Sequence, residues 1–244
     1  YKVTINKSTS AAPGTIVFGG ANTYTGGTEV ASGTLRVTAP GVLPAGSTTT
    51  IASPGTVQLL SGATNTYTDA FSGTGRILLS LSGGTNNTYL NGNSAGFTGT
   101  LEISGTGNNK LNASGLTISP SALIKINSGG QLFTSANLAN AIQVVGTGNG
   151  ENRGAIRLSG GNLSGPITLL GNTTIGTEGG TISGPISSGV SGAQTLTLGT
   201  GSSGGSPTFS GAISDGAGTL ALRVSPAAGG QIILSGANSY SGGT

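Results

Sequence analysis

TIVFGGANTYTGGT at residues 15–28 returns as QIILSGANSYSGGT at residues 231–244, 216 positions later. Eight of the fourteen positions are identical, and most of the rest exchange like for like. The likeness extends upstream, where KVTINKSTSAAPG (2–14) aligns with TLALRVSPAAGG (219–230) across one gap. Self-similarity at a fixed offset marks a repeat architecture. The second copy stops at Thr244, short of the EVASGTLRV that follows the first. The expectation is therefore one segment, 1–244, with residues 1–28 repeated in phase at 217–244, drawn from a longer tandem or fibrous assembly.

Between the copies the chain keeps a steady rhythm. Val, Ile and Leu total 50 and arrive in pulses of three to five residues, such as TLRV (34–37), TLEIS (100–104), AIRLS (155–159) and TLTL (195–198). Alternation of apolar and polar residues over so short a span is the period of a half-buried strand. Gly, Asn, Ser and Pro separate the pulses and supply turns. The 48 glycines follow no strict triplet, which excludes collagen, and a flexible Gly/Ser linker has no reason to space its aliphatics evenly. Only SANLANAIQ (135–143) suggests one helical turn or a lateral loop. Many short strands, no helix and one long repeat favour an all-β, parallel β-helix (β-solenoid) with Gly/Asn/Ser-rich turns. At about 20 residues per coil, the repeat period makes about 10 to 11 coils, roughly 50 Å at one strand spacing each. The inward set is Ile16, Phe18, Leu35, Val37, Leu101, Ile103, Leu220, Leu222, Ile232 and Leu234. Stacking also accounts for a charged fraction of only 6%, because like charges repel at a spacing where Asn, Ser, Thr and aliphatics pack or hydrogen-bond.

GGANTYTGGTEVASGTLRV (19–37) resembles the autotransporter-associated β-strand repeat, also called the passenger-associated transport repeat. TFSGAISDGAGTLALRVSPAAGGQIILSGANSYSGGT (208–244) resembles its longer form. The resemblance is confined to these two stretches, and the chain between them matches only in texture. It implies a right-handed parallel β-helix in a secreted, often very large bacterial surface protein, and it transfers no catalytic residue.

The chain has no Cys, His, Met or Trp, which excludes disulfides, thiolate or imidazole zinc sites and the usual nucleophile–histidine triads. No apolar run is long enough for a membrane helix. Six carboxylates remain: Glu29, Asp69, Glu102, Glu151, Glu178 and Asp215. A polysaccharide hydrolase would need two of them facing one groove. The preferred reading leaves them in solvent or beside cations, as Glu151 beside Arg153. Asp215 and Glu178 sit next to glycines, but no stretch has the clustered acids that calcium requires, so turn roles are expected. GTGNGENRG (146–154) lacks the context of a phosphate loop and reads as a lateral loop. Lys2, Lys7, Lys110, Lys125, Arg36, Arg76, Arg153, Arg157 and Arg223 are scattered, so no nucleic-acid patch is expected; Arg153 and Arg157 are read as a solvated pair.

Tyr24 and Tyr240 share one phase of the repeat, as do Asn22 and Asn238, and a packing and turn role is preferred over glycan stacking. Tyr67, in ATNTYTD (63–69), reads as a degenerate copy of that turn. The functional expectation is a non-catalytic extracellular stalk, fibre or matrix segment at a bacterial surface. It would need no cofactor or metal and have copies of itself, end to end, as partners. The alternative is an adhesin that binds glycans or cell surfaces, and a polysaccharide-degrading β-helix is the outsider.

Overall fold

Ile16 lies under Leu35, Leu35 under Val57 and Val57 under Ile77. The column continues through Leu101, Ile124, Ile142, Ile167, Ile186 and Ile213. Each step is one coil, and every registered pair is parallel. This computed structural model of the chain describes residues 1–6, 14–200 and 205–244, so Lys7 lies outside the described residues. Among them there is no helix, and short strands stack into a β-solenoid of about ten coils. The coils are unequal. The shortest step in the column runs from Ile124 to Ile142 and the longest from Ile186 to Ile213. The corners absorb the difference, so inward columns stay in register although coil length varies.

Each coil crosses three faces. The first holds the Ile16 column and, two residues on, an inward column of Phe18, Val37, Leu59, Leu79, Ile103, Ile126, Val144 and Leu169. The second holds Asn65–Tyr67, Asn87–Leu90, Lys110–Asn112, Leu132–Thr134 and the start of Ile156–Leu163. Near the N-terminus the third face holds Val3–Ile5, Thr28–Val30, Thr48–Ile51 and Ala70–Ser72. Higher up it holds Leu163, Ile182, Phe209 and Leu234. In the upper coils the chain meets the third face just before the first: 163 then 167, 182 then 186, 209 then 213.

The expected inward residues divide by height. Leu35, Val37, Leu101, Ile103, Leu220 and Leu222 are buried. Ile16, Phe18, Ile232 and Leu234 are only half-buried against the core, because they belong to the outermost coils, which among the described residues are covered on one side only. SANLANAIQ forms no helix. It bends through Ser135 and Ala136, bridges Leu138 to Leu163 and enters the strand Ile142–Gly146. Tyr67 is no turn residue either. It ends the strand Asn65–Tyr67, is fully buried, and donates its hydroxyl to the Leu60 carbonyl. Desolvation, helped by the Asp69 charge, pushes that phenol up to about 12.

Candidate functional site

The repeated motif builds the same corner twice. Gly26 donates its N–H to the Tyr1 carbonyl at 2.9 Å, and Val3 donates to the Gly27 carbonyl at 3.1 Å. In the second copy Gly242 donates to Leu220 at 3.0 Å and Leu222 to Gly243 at 2.9 Å. A Cβ on Gly26 would stand 2.5 Å from the Tyr1 backbone, and one on Gly242 2.6 Å from the Leu220 oxygen. Gly27 and Gly243 take φ of +78° and +84°, which glycine alone adopts cheaply. The Tyr24 hydroxyl shares a hydrogen bond with Thr28 Oγ1 at 2.6 Å, and Tyr240 with Thr244 Oγ1 at 2.7 Å. These tyrosines clamp the turn, so their hydroxyls are occupied within the motif. Asn22 donates to the carbonyls of Gly20 and of Val42 in the next coil. Asn238 accepts the N–H of Ile213 in the preceding one. The sequence placed these groups in one phase, but Thr28 and Thr244 gave no signal beyond belonging to GGT.

The two corners stand on different faces. Ile16 belongs to the first face, whereas Ile233 and Leu234 pair with Thr208 and Phe209 on the third. The equivalence between copies also shifts along the chain. Tyr1 and Val3 play the parts of Leu220 and Leu222, whereas Gly26 and Thr28 answer to Gly242 and Thr244. The link before the motif strand is therefore shorter in the second copy than in the first.

The charges around Arg157 are not solvated singles. Arg157 donates Nε to Glu178 at 2.9 Å and Nη1 to Glu151 at 3.2 Å, and its guanidinium lies 4.9 Å from the centre of the Phe133 ring. Lys110 reaches Glu151 at 3.0 Å, and Arg153 reaches Glu178 at 3.4 Å. The side chains of Lys110, Glu151 and Arg157 are only 7%, 11% and 12% exposed. Glu151 thus pairs with Lys110 and Arg157 rather than Arg153, and Arg157 is enclosed rather than solvated. The reason is the loop after Gly146. It leaves the surface as a lateral loop would, but docks back across two coils, with Gly150 donating to Gly107 and Asn149 to Asn108. That carries Glu151 down to Lys110. Nothing in the sequence marked this fold-back or the Phe133 stack.

The other carboxylates have separate fates. Glu102 accepts from Asn127 at 2.6 Å and from Arg76 at 2.9 Å, with Lys125 at 3.7 Å. Burial opposes its charge, yet these hydrogen bonds and cations prevail and hold the carboxyl below its usual range. Glu29 pairs with Lys2 at 2.6 Å. Asp215 accepts from Ser241 and from the Leu220 N–H, which hold its pKa low; it ties the second motif to the coil beneath. Asp69 has one buried, unpartnered oxygen, and desolvation raises its pKa. Among the described residues no three acidic side chains gather as a cation site would require. Shallow grooves cross the outside, one of them beside Arg76, Glu102 and Lys125.

The family model described as Passenger-associated-transport-repeat matches residues 13–37 and 229–244, the two segments that build the corner. The chain carries this repeat in both places. No curated protein and no solved structure matches the chain.

Proposed function

We propose that this chain is a non-catalytic structural length of a secreted or surface-exposed bacterial protein, a stalk or fibre whose coils run on into further coils of the same kind. The observation that carries this reading is the repeated seating, Tyr1–Val3 against Gly26–Gly27 and Leu220–Leu222 against Gly242–Gly243. A joint used twice along one shaft is suited to being used again. Among the described residues the strand Thr15–Phe18 pairs on one edge only, as does Ile233–Leu234, and Val224, inward in its column, is left 39% exposed. Edges of this kind accept another strand. The match to a transport repeat supports export.

Electron micrographs of the native polypeptide test this. A thin shaft longer than the roughly 48 Å of ten coils at one strand spacing each is expected; a compact particle overturns it. Glycan cleavage abolished by changing one of Glu29, Asp69, Glu102, Glu151, Glu178 or Asp215 would establish an enzyme instead.

One groove supports a second reading, an adhesin. Thr34, Thr56, Arg76 and Thr100 stand one above another on the first face, beside Glu102 and Lys125. Such a row offers donors and acceptors at a regular spacing to an extended glycan. Binding on a glycan array that Arg76→Ala removes would establish it.

A further inference from the structure

We infer that successive units of this shaft are turned by one face, so that the interface offered to the next copy of the unit is rotated by a third of a turn. The inference rests on the proposed continuation and deepens it. Nine coils separate Ile16 from Ile213 along the first face. From Ile213 the chain crosses the second face at Leu220–Ser225 and reaches the third at Ile233–Leu234, where the motif strand returns. The repeat period therefore spans nine coils and two faces, not a whole number of coils.

The glycine seating and the tyrosine clamp of the corner move with it. Residues 3–5 and 28 lie on the third face, and their counterparts 222–224 and 244 lie on the second. The motif strand moves from the first face to the third. A segment equivalent to 29–37 that followed Thr244 would repeat the pairing of Thr34–Val37 on Thr15–Phe18. It would therefore lie over Ile233–Leu234 on the third face. Each further unit falls one face behind the last and returns after three. At about 4.8 Å per coil a unit rises roughly 46 Å, and the shaft repeats after about 29 coils, roughly 139 Å. Any surface feature, including the Arg157–Glu178 cluster, would wind around the shaft rather than mark one side.

The test is the structure, by cryo-electron microscopy or crystallography, of a chain in which residues 29–244 are placed again after Thr244. The expected result is one continuous solenoid with the second Arg157–Glu178 cluster on the first face, where the original occupies the second. A continuous solenoid with both clusters on one face overturns the rotation but leaves end-to-end continuation standing. Two separate bodies, or a second half that does not fold onto the first, overturn the continuation and the rotation with it. A shorter extension, EVASGTLRV alone after Thr244, gives an independent reading by hydrogen exchange. Protection should rise at residues 231–235. No rise there, or a rise confined to residues 237–240, overturns the rotated register.

Discussion

Gly236 and Gly20 hold the same place in two copies of one motif, yet only one of them is pinned. A Cβ on Gly236 would stand 2.2 Å from the carbonyl of Gly211, which sits over Gly184 as Gly184 sits over Gly165. A Cβ on Gly20 would meet nothing described within 4 Å. What the motif demands of a residue thus depends on the coil beneath it. Gly236→Ala should cost about 2 kcal/mol, within the range for a strained point change, whereas Gly20→Ala should be neutral or stabilise by about 0.5 kcal/mol through the unfolded chain. Denaturant melts of the two variants decide it; equal losses would mean that the glycines serve the turn itself. Two enclosed carboxylates make opposite predictions with pH. Folding raises the Asp69 pKa from its usual 3.8, chiefly by desolvation, so its contribution is most favourable below the unfolded pKa and is lost as pH rises through the folded one. Asp69→Asn should therefore raise the melting temperature at neutral pH, with the gain shrinking towards about pH 4. Folding lowers the Glu102 pKa from 4.5, so its contribution is present above that value and lost as pH falls through the folded one. Glu102→Gln should lower the melting temperature at neutral pH, and the difference should narrow in acid.

At the scale of elements, columns share the load unevenly. Leu101 is covered by Ile77 below and Ile124 above, so Leu101→Ala should cost about 3 kcal/mol, as large-to-small changes in packed cores do. Leu234, covered on one side by Phe209, should lose less than half as much. Arg157 joins three strands' worth of side chains: Phe133, Glu178 and the loop-borne Glu151. Arg157→Ala removes the cation that the two enclosed carboxylates share, leaving Glu151 to Lys110 and Glu178 to Arg153, and should cost about 2 kcal/mol, the scale of lost hydrogen bonds to charged groups. Breaking the exposed Lys2–Glu29 pair should cost well under about 1 kcal/mol and depend on salt. These cases also show what the sequence could disclose. Alternation in TLRV and TLEIS located the inward columns, and the repeated ANTYTGGT located the corner, because both are local patterns with a fixed period. The ion cluster was not legible. A loop crossing two coils carries Glu151 to Lys110, Glu178 meets Arg157 from the next coil, and the unequal coils hide which residues stack. The same irregularity hid the rotation, because phase around the shaft is a sum of coil lengths that no single segment reveals. It also disguised Tyr67, whose NTYT spelling copies the motif while its position in the coil makes it a buried strand end.

For the whole molecule, stability should follow the one-dimensional logic of a stack, in which each coil contacts only its neighbours. Middle coils are held on both sides. Leu101, Ile103, Ile124, Ile142 and Ile167 are all at most 1% exposed, while Ile16, Phe18, Ile232 and Leu234 at the two ends are half-buried. Burial contributes in proportion to apolar area removed from water, so the outer coils open at lower free energy than the centre. Sub-global opening of this kind is what hydrogen exchange reads. Amides at 15–18 and 231–235 should therefore exchange much faster than those at 101–103 and 167–169, with protection graded along the axis in both directions. The alternative is a stack so tightly coupled that it opens only as one body, and protection would then be flat from end to end. The gradient also links stability to the proposed role. If the end coils are weak because they lack a neighbour, adding coils should move the weak point outward. The former end at 231–235 should then acquire the protection of the middle. A shaft built on that principle gains strength in its interior from every unit added and keeps its softest coils where the next unit joins.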